Sequence, residues 1–127
     1  MDLVDDSYDF IIRTRSDLIY SSPIDFVGAD PKTIYIPLGG DWRGGLFDMF
    51  AVSGPEEMLF YSSLFQNLNM YAEQGIFAHP ETMLRHHLLF SRQNLIPVHR
   101  FSWGITLIKK DTEGQLIYFN ALPVDIF

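Results

Sequence analysis

The sequence predicts an α+β domain, and three observations carry that prediction. Residues 53–75 form the longest run with a helical period and its own start and stop signals, residues 79–95 form a second, and β-rich stretches bounded by glycine, proline and aspartate lie on either side. The expected architecture is a single domain over residues 1–127, an antiparallel sheet of about four strands packed by the helical pair.

The first helix has clear punctuation. Ser53 and Gly54 offer an N-cap, Pro55 suits the first helical position, Glu56 and Glu57 sit where the helix dipole favours negative charge, and Gly75 closes the segment. At about 100° per residue, Met58, Phe60, Tyr61, Leu64, Phe65, Leu68, Tyr71 and Ala72 share one broad arc, which is a core face. Leu59 and Met70 fall on the otherwise polar side, so each is expected to meet the second helix or a partner. That second helix starts at His79 or Pro80 and finishes before Pro97, with Met83, Leu84, His87, Leu88, Phe90 and Leu95 on its apolar arc.

Residues 2–20 fit a helix or a strand. Leu3, Val4, Tyr8, Ile11 and Leu18 share a helical face, and Asp9 with Arg13 makes an i, i+4 pair, which favours the helix; β-branched Ile11, Ile12 and Thr14 oppose it. Residues 33–38 and 46–52 read as strands, with Pro37 marking an edge or a strand end. Between them Gly39-Gly40-Asp41-Trp42-Arg43-Gly44-Gly45 reads as a hinged loop. Residues 99–110 and 115–121 read as a hairpin. Closing its turn with Lys110 opposite Gln115 places Phe101, Trp103, Ile105, Leu107, Leu116 and Tyr118 on the core face, and leaves Ile108, Ile117 and Phe119 to be covered by another element or by self-association.

Composition narrows the classes of function. The chain is 47% hydrophobic and 15% aromatic, more apolar surface than one small core needs. There is no cysteine, which removes disulfides and thiolate chemistry. The acidic opening lacks the pattern of a signal peptide and no apolar run approaches a membrane span, so a soluble cytoplasmic protein is expected. Net charge is −7, with nine acids against four Lys or Arg in residues 1–50 and seven against five in the remainder. Such a surface repels a phosphate backbone, disfavouring direct nucleic-acid binding, and attracts a basic protein.

Catalytic and cofactor patterns are missing. The glycine loop has neither phosphate-binding spacing, and there is no G-x-S-x-G elbow or H-E-x-x-H helix. His79, His86, His87 and His99 fall within 21 residues, but adjacent His86 and His87 point about 100° apart on a helix and do not share a metal, so no metal site is expected and His87 reads as a core histidine with one hydrogen bond. Asp41 and Asp48 bracket the glycine loop and are the best carboxylates for acid–base work. Trp42 and Arg43 are the residue types most enriched at binding hot spots. The expected function is therefore a non-enzymatic protein-binding module, whether adaptor, chaperone, immunity-type inhibitor or small subunit of an assembly. Its interaction residues would be Trp42, Arg43, Asp41, Leu59 and Met70, with no cofactor. The alternative is a small enzyme or ligand-binding domain with a pocket between sheet and helix pair, lined by Tyr61, Tyr71, His87 and Trp103.

Overall fold

The computed structural model describes residues 7–20, 22–39, 41, 44–91, 95–103 and 105–121. In chain order these form β1 (Ile11–Thr14), β2 (Leu18–Tyr20), β3 (Ile34–Pro37), β4 (Phe50–Ser53), α1 (Pro55–Ser62), a 3-10 segment (Ser63–Asn67), α2 (Leu68–Glu73), α3 (Pro80–Leu89), β5 (Val98–Phe101), β6 (Ile105–Lys110) and β7 (Leu116–Ala121). The fold is α+β with a helical pair, as its sequence implies. The strands make two sheets instead of one: β1-β4-β3-β5 and β2-β6-β7. All pairings are antiparallel except β3 with β5.

Ile11–Thr14 and Leu18–Tyr20 are strands, not parts of a helix. Ile11 to Thr14 pair with Ser53 to Phe50 of β4, and Leu18 to Tyr20 pair with Leu107 to Ile105 of β6. The β-branched side chains outweigh the local charge pattern here because a strand's propensity is realised through neighbours. Between β1 and β2 the chain changes sheets in three residues, and Arg15 holds the corner with a bidentate bond to Asp17 (2.9 and 2.7 Å).

The 53–75 helix starts as expected, with Gly54 at the N-cap and Pro55 at the first helical position, but it does not run unbroken. At its middle, side-chain donors take backbone carbonyls. Ser63 Oγ donates to the Phe60 carbonyl (2.6 Å) and Asn67 Nδ2 to the Ser63 carbonyl (2.9 Å), the competition for which Ser and Asn are poor mid-helix residues. A five-residue 3-10 segment results, and Phe65 and Ala72, expected on the core face, are exposed. The second helix is also shorter than 79–95: α3 ends at Leu89, and Phe90 and Leu95 are exposed.

Pro37 does end its strand, although β3 lies inside the sheet rather than at an edge. Only residues 50–52 of the expected 46–52 strand pair, with Ser53 added at the end; Leu46 and Phe47 enter the core from irregular chain. The 99–110 strand is two strands, since β5 joins the first sheet and β6 the second. The core comprises Ile34 and Ile36 of β3, Phe50 and Val52 of β4, Met58 and Tyr61 of α1, Leu84 and Leu88 of α3, and Ile105 of β6. No described helix is long and apolar enough to cross a membrane.

Candidate functional site

Three of the hollows on the described surface differ in the polar groups that line them. The first, about 550 Å³, lies between residues 24–29 and β5; Asp25 there already accepts the Val27 N–H (2.9 Å), and the Tyr35 hydroxyl accepts the Asp30 N–H (2.7 Å). The second, about 660 Å³, is an aromatic groove at Tyr20, Phe50 and Trp103. There Trp103 Nε1 donates to the Ser22 carbonyl (2.9 Å), and the Tyr20 and Thr14 hydroxyls bond each other (2.6 Å).

The third is a cleft of about 560 Å³ between α1, α2 and α3, bounded on one side by β1. Leu64, Phe65, Leu68, Ala72, Met83 and Leu84 make its apolar walls, and Arg13, Asp48, Tyr61 and His79 line it with polar groups. Local structure accounts for each of these four. Arg13 stands on β1 beside β4, donates Nη1 to the Asp48 carbonyl (2.6 Å), and lies over the Tyr61 ring at 5.3 Å from its centroid. His79 is the N-cap residue of α3, extended because Pro80 follows it, with Nδ1 3.1 Å from Glu81 Oε2. Burial raises the Glu81 carboxyl above the usual carboxylate range, against the pull of His79. Tyr61 is 3% exposed, and its hydroxyl makes no well-aligned hydrogen bond to any described residue, although the Arg13 guanidinium lies close enough to favour its ionised form. Burial pushes that phenol up to about 12, opposed by the Arg13 guanidinium and assisted by the Asp48 carboxylate.

The residues singled out in the sequence are scattered. Trp42 and Arg43 lie outside the described residues. Leu59 and Met70 are each 45% exposed, outside the cleft, and Phe65 at its rim is 81% exposed. Asp41 is not on an accessible loop surface: its side chain is 1% exposed, takes two hydrogen bonds from Arg100 (2.9 and 2.7 Å) and accepts the Phe47 N–H (2.8 Å). Arg100 also donates to the Pro37 carbonyl (2.7 Å), so the pair fastens the start of the glycine loop to the end of β3. The far end of the loop is equally fixed. A Cβ on Gly45 would lie 2.1 Å from the Glu81 carbonyl carbon, and the adjacent Leu46 N–H donates to the Glu81 carbonyl (2.9 Å). Gly45 therefore serves close packing on α3 rather than loop adaptability.

The expected pocket of Tyr61, Tyr71, His87 and Trp103 is not formed. Trp103 belongs to the aromatic groove, and Tyr71 and His87 bond each other inside the helical pair. His87 is buried with three polar partners rather than one: Tyr71 Oη (2.6 Å) at Nδ1, and the Phe60 carbonyl (2.6 Å) and Ser63 Oγ (3.1 Å) at Nε2. A carbonyl only accepts, so Nε2 carries the proton and Nδ1 receives the Tyr71 hydroxyl hydrogen. With that tautomer Nε2 has no lone pair for the Ser63 proton. The Ser63–His87 contact is thus structural, not a nucleophile and its base. The flat ring of Phe60 stacks on His87 at 4.4 Å.

Sequence reasoning passed over Arg13, assigned to Asp9 on a helix, and Arg100. The signal for Arg13 was β-branching on both sides of it; for Arg100 there was none, because its partner is 59 residues away. Among the described residues no three of His, Asp and Glu gather in a way that could hold a metal ion. Compared with known proteins, the chain matches no family model, no curated protein and no solved structure.

Proposed function

We propose that the protein is a non-enzymatic protein-binding module, an adaptor or small subunit of a larger cytoplasmic assembly. The observation that carries this reading is that Leu59 on α1 and Met70 on α2 each stay 45% exposed, facing away from a core that closes without them. Large apolar side chains left exposed on helices are surface that a partner can bury. The net charge of −7 supports a partner with a basic surface, reached faster through electrostatic steering. Trp42 and Arg43 belong to the same reading as anchors on a loop whose two ends are pinned at Asp41 and Gly45. Self-association through β7, an edge strand with exposed Leu116 and Tyr118, belongs to it too.

The test separates binding from folding. A partner purified from the native host is titrated against wild type, the double variant Leu59→Asp with Met70→Asp, and the double variant Trp42→Ala with Arg43→Ala. Each variant is expected to melt within a few degrees of wild type yet bind at least tenfold more weakly, about 1.4 kcal/mol. Undiminished binding by both variants would sink the proposal, and a collapse of the melting temperature in the second would make Trp42 part of the core.

A further inference from the structure

Among the described residues, the helical cleft is lined by a buried side-chain hydroxyl, that of Tyr61, with no well-aligned hydrogen bond. Tyr61 is buried at its margin with a hydroxyl that makes no well-aligned hydrogen bond among the described residues and has only the Arg13 guanidinium drawn towards it, although a buried hydroxyl left poorly paired costs up to about 1–3 kcal/mol. Such a group is retained at a cost to stability. Beside it the Arg13 guanidinium, with five N–H donors, gives one to the Asp48 carbonyl and lies over the Tyr61 ring. The walls, in contrast, are apolar on three helical segments, and a volume of about 560 Å³ is of the size that encloses a small organic molecule.

We propose that this cleft is a binding site for a small, uncharged, amphipathic molecule: an apolar ring or branched chain bearing one head group that both donates and accepts a hydrogen bond, such as a primary amide. The body lies against Leu64, Leu68, Met83 and Leu84, and the head, on entering, uncovers and meets the Tyr61 hydroxyl, which is fully buried while the cleft is empty. The head is uncharged because Arg13 and Asp48 both line the cleft, so either sign of charge meets its like as well as its opposite. A head with both capacities answers the Tyr61 oxygen as donor and the guanidinium as acceptor. A purely apolar molecule would leave the Tyr61 hydroxyl as it is and gain from the walls alone. This site is independent of the protein-binding surface, since neither Leu59 nor Met70 lines it.

Four probes with one apolar body separate the alternatives: 4-butylbenzamide, 4-butylbenzoate, 4-butylbenzylammonium and butylbenzene, titrated into the full chain and followed by NMR shifts of the Met83 methyl and the leucine methyls. The amide is expected to bind at least tenfold more tightly than each of the other three. Tyr61→Phe keeps the ring and removes only the hydroxyl, so it is expected to fold at least as stably as wild type and to erase the preference of the amide over butylbenzene. Ala72→Trp, on a wall that faces solvent, is expected to block all four. Equal binding of the four probes, tighter binding of either charged probe, an amide preference that survives Tyr61→Phe, or no binding at all would each overturn the proposal. None of these results bears on the Leu59 and Met70 variants, so the two readings fail separately.

Discussion

At the scale of single residues, His87 and the Asp41–Arg100 pair show how polar groups are accommodated inside. Burial depresses His87 below the ordinary histidine range, the Phe60 carbonyl opposes that shift, and the neighbouring His86 adds to it. A depressed folded pKa means that the native state binds fewer protons than the unfolded chain. The stability contributed by His87 is therefore complete above its unfolded value near ~6.5 and is lost as pH falls through the window below it. Melting temperature measured between pH 7 and pH 5 is expected to fall in wild type. In His87→Gln, whose amide can donate to Phe60 and accept from Tyr71, that fall should be distinctly shallower. An identical slope in both proteins would assign the titration elsewhere. The burial of His87 was legible from its place on the apolar arc of α3. Its partners were not, because Ser63 and Phe60 reach it only after the central helix breaks, and that break depends on side chains competing for carbonyls.

At the scale of elements, the hairpin of β6 and β7 shows how much one residue of register decides. Asp111 pairs with Gln115, leaving a three-residue loop, 112–114, with Gly114 at φ 82°. Asp111 Oδ1 accepts the Glu113 and Gln115 N–H groups (2.9 and 2.8 Å), which makes the turn a side-chain-directed one. Lys110 then faces Leu116 instead of Gln115, and Leu116, Ile117 and Tyr118 change face relative to the sequence expectation. Leu116 and Tyr118 are exposed where a core position was expected, while Ile105 and Leu107 of β6 are buried as expected. Leu107→Lys is expected to cost several kcal/mol or prevent folding, because it buries an unpaired ammonium. Leu116→Lys should change stability by less than ~0.5 kcal/mol, as surface substitutions do. Denaturant melts of the two variants check this, and equal destabilisation would restore the other register. Hairpin existence was readable from composition and spacing; its register was not, because a three- and a four-residue loop suit the same glycine-bearing segment.

At the scale of the whole molecule, two sheets are joined where β5 ends and β6 begins. Trp103 stacks on Tyr20 of the second sheet (4.8 Å, 6° between planes) and meets Phe50 of the first edge-on at 4.9 Å, while Nε1 ties it to the Ser22 carbonyl. Trp103→Ala is expected to cost about 3 kcal/mol, the low end for aromatic truncation because Trp103 is only partly buried. It should lower the melting temperature by roughly 10 °C. Hydrogen exchange should speed up in β2, β6 and β7 ahead of β3 and β4; uniform acceleration would mean that the joint carries no independent coupling. Alternation along the strands announced that sheets would form. That a chain of apolar strands divides between two sheets was hidden, because the division rests on an aromatic contact between residues 83 positions apart, Tyr20 and Trp103. The same pairing has a consequence for synthesis on the ribosome. Tyr20 waits for Ile105 before β2 has any neighbour, and β1 waits for β4. At 5–20 residues per second the apolar Leu18–Tyr20 segment remains an unpaired edge for roughly ten seconds after it emerges, the interval in which a nascent chain most needs a chaperone.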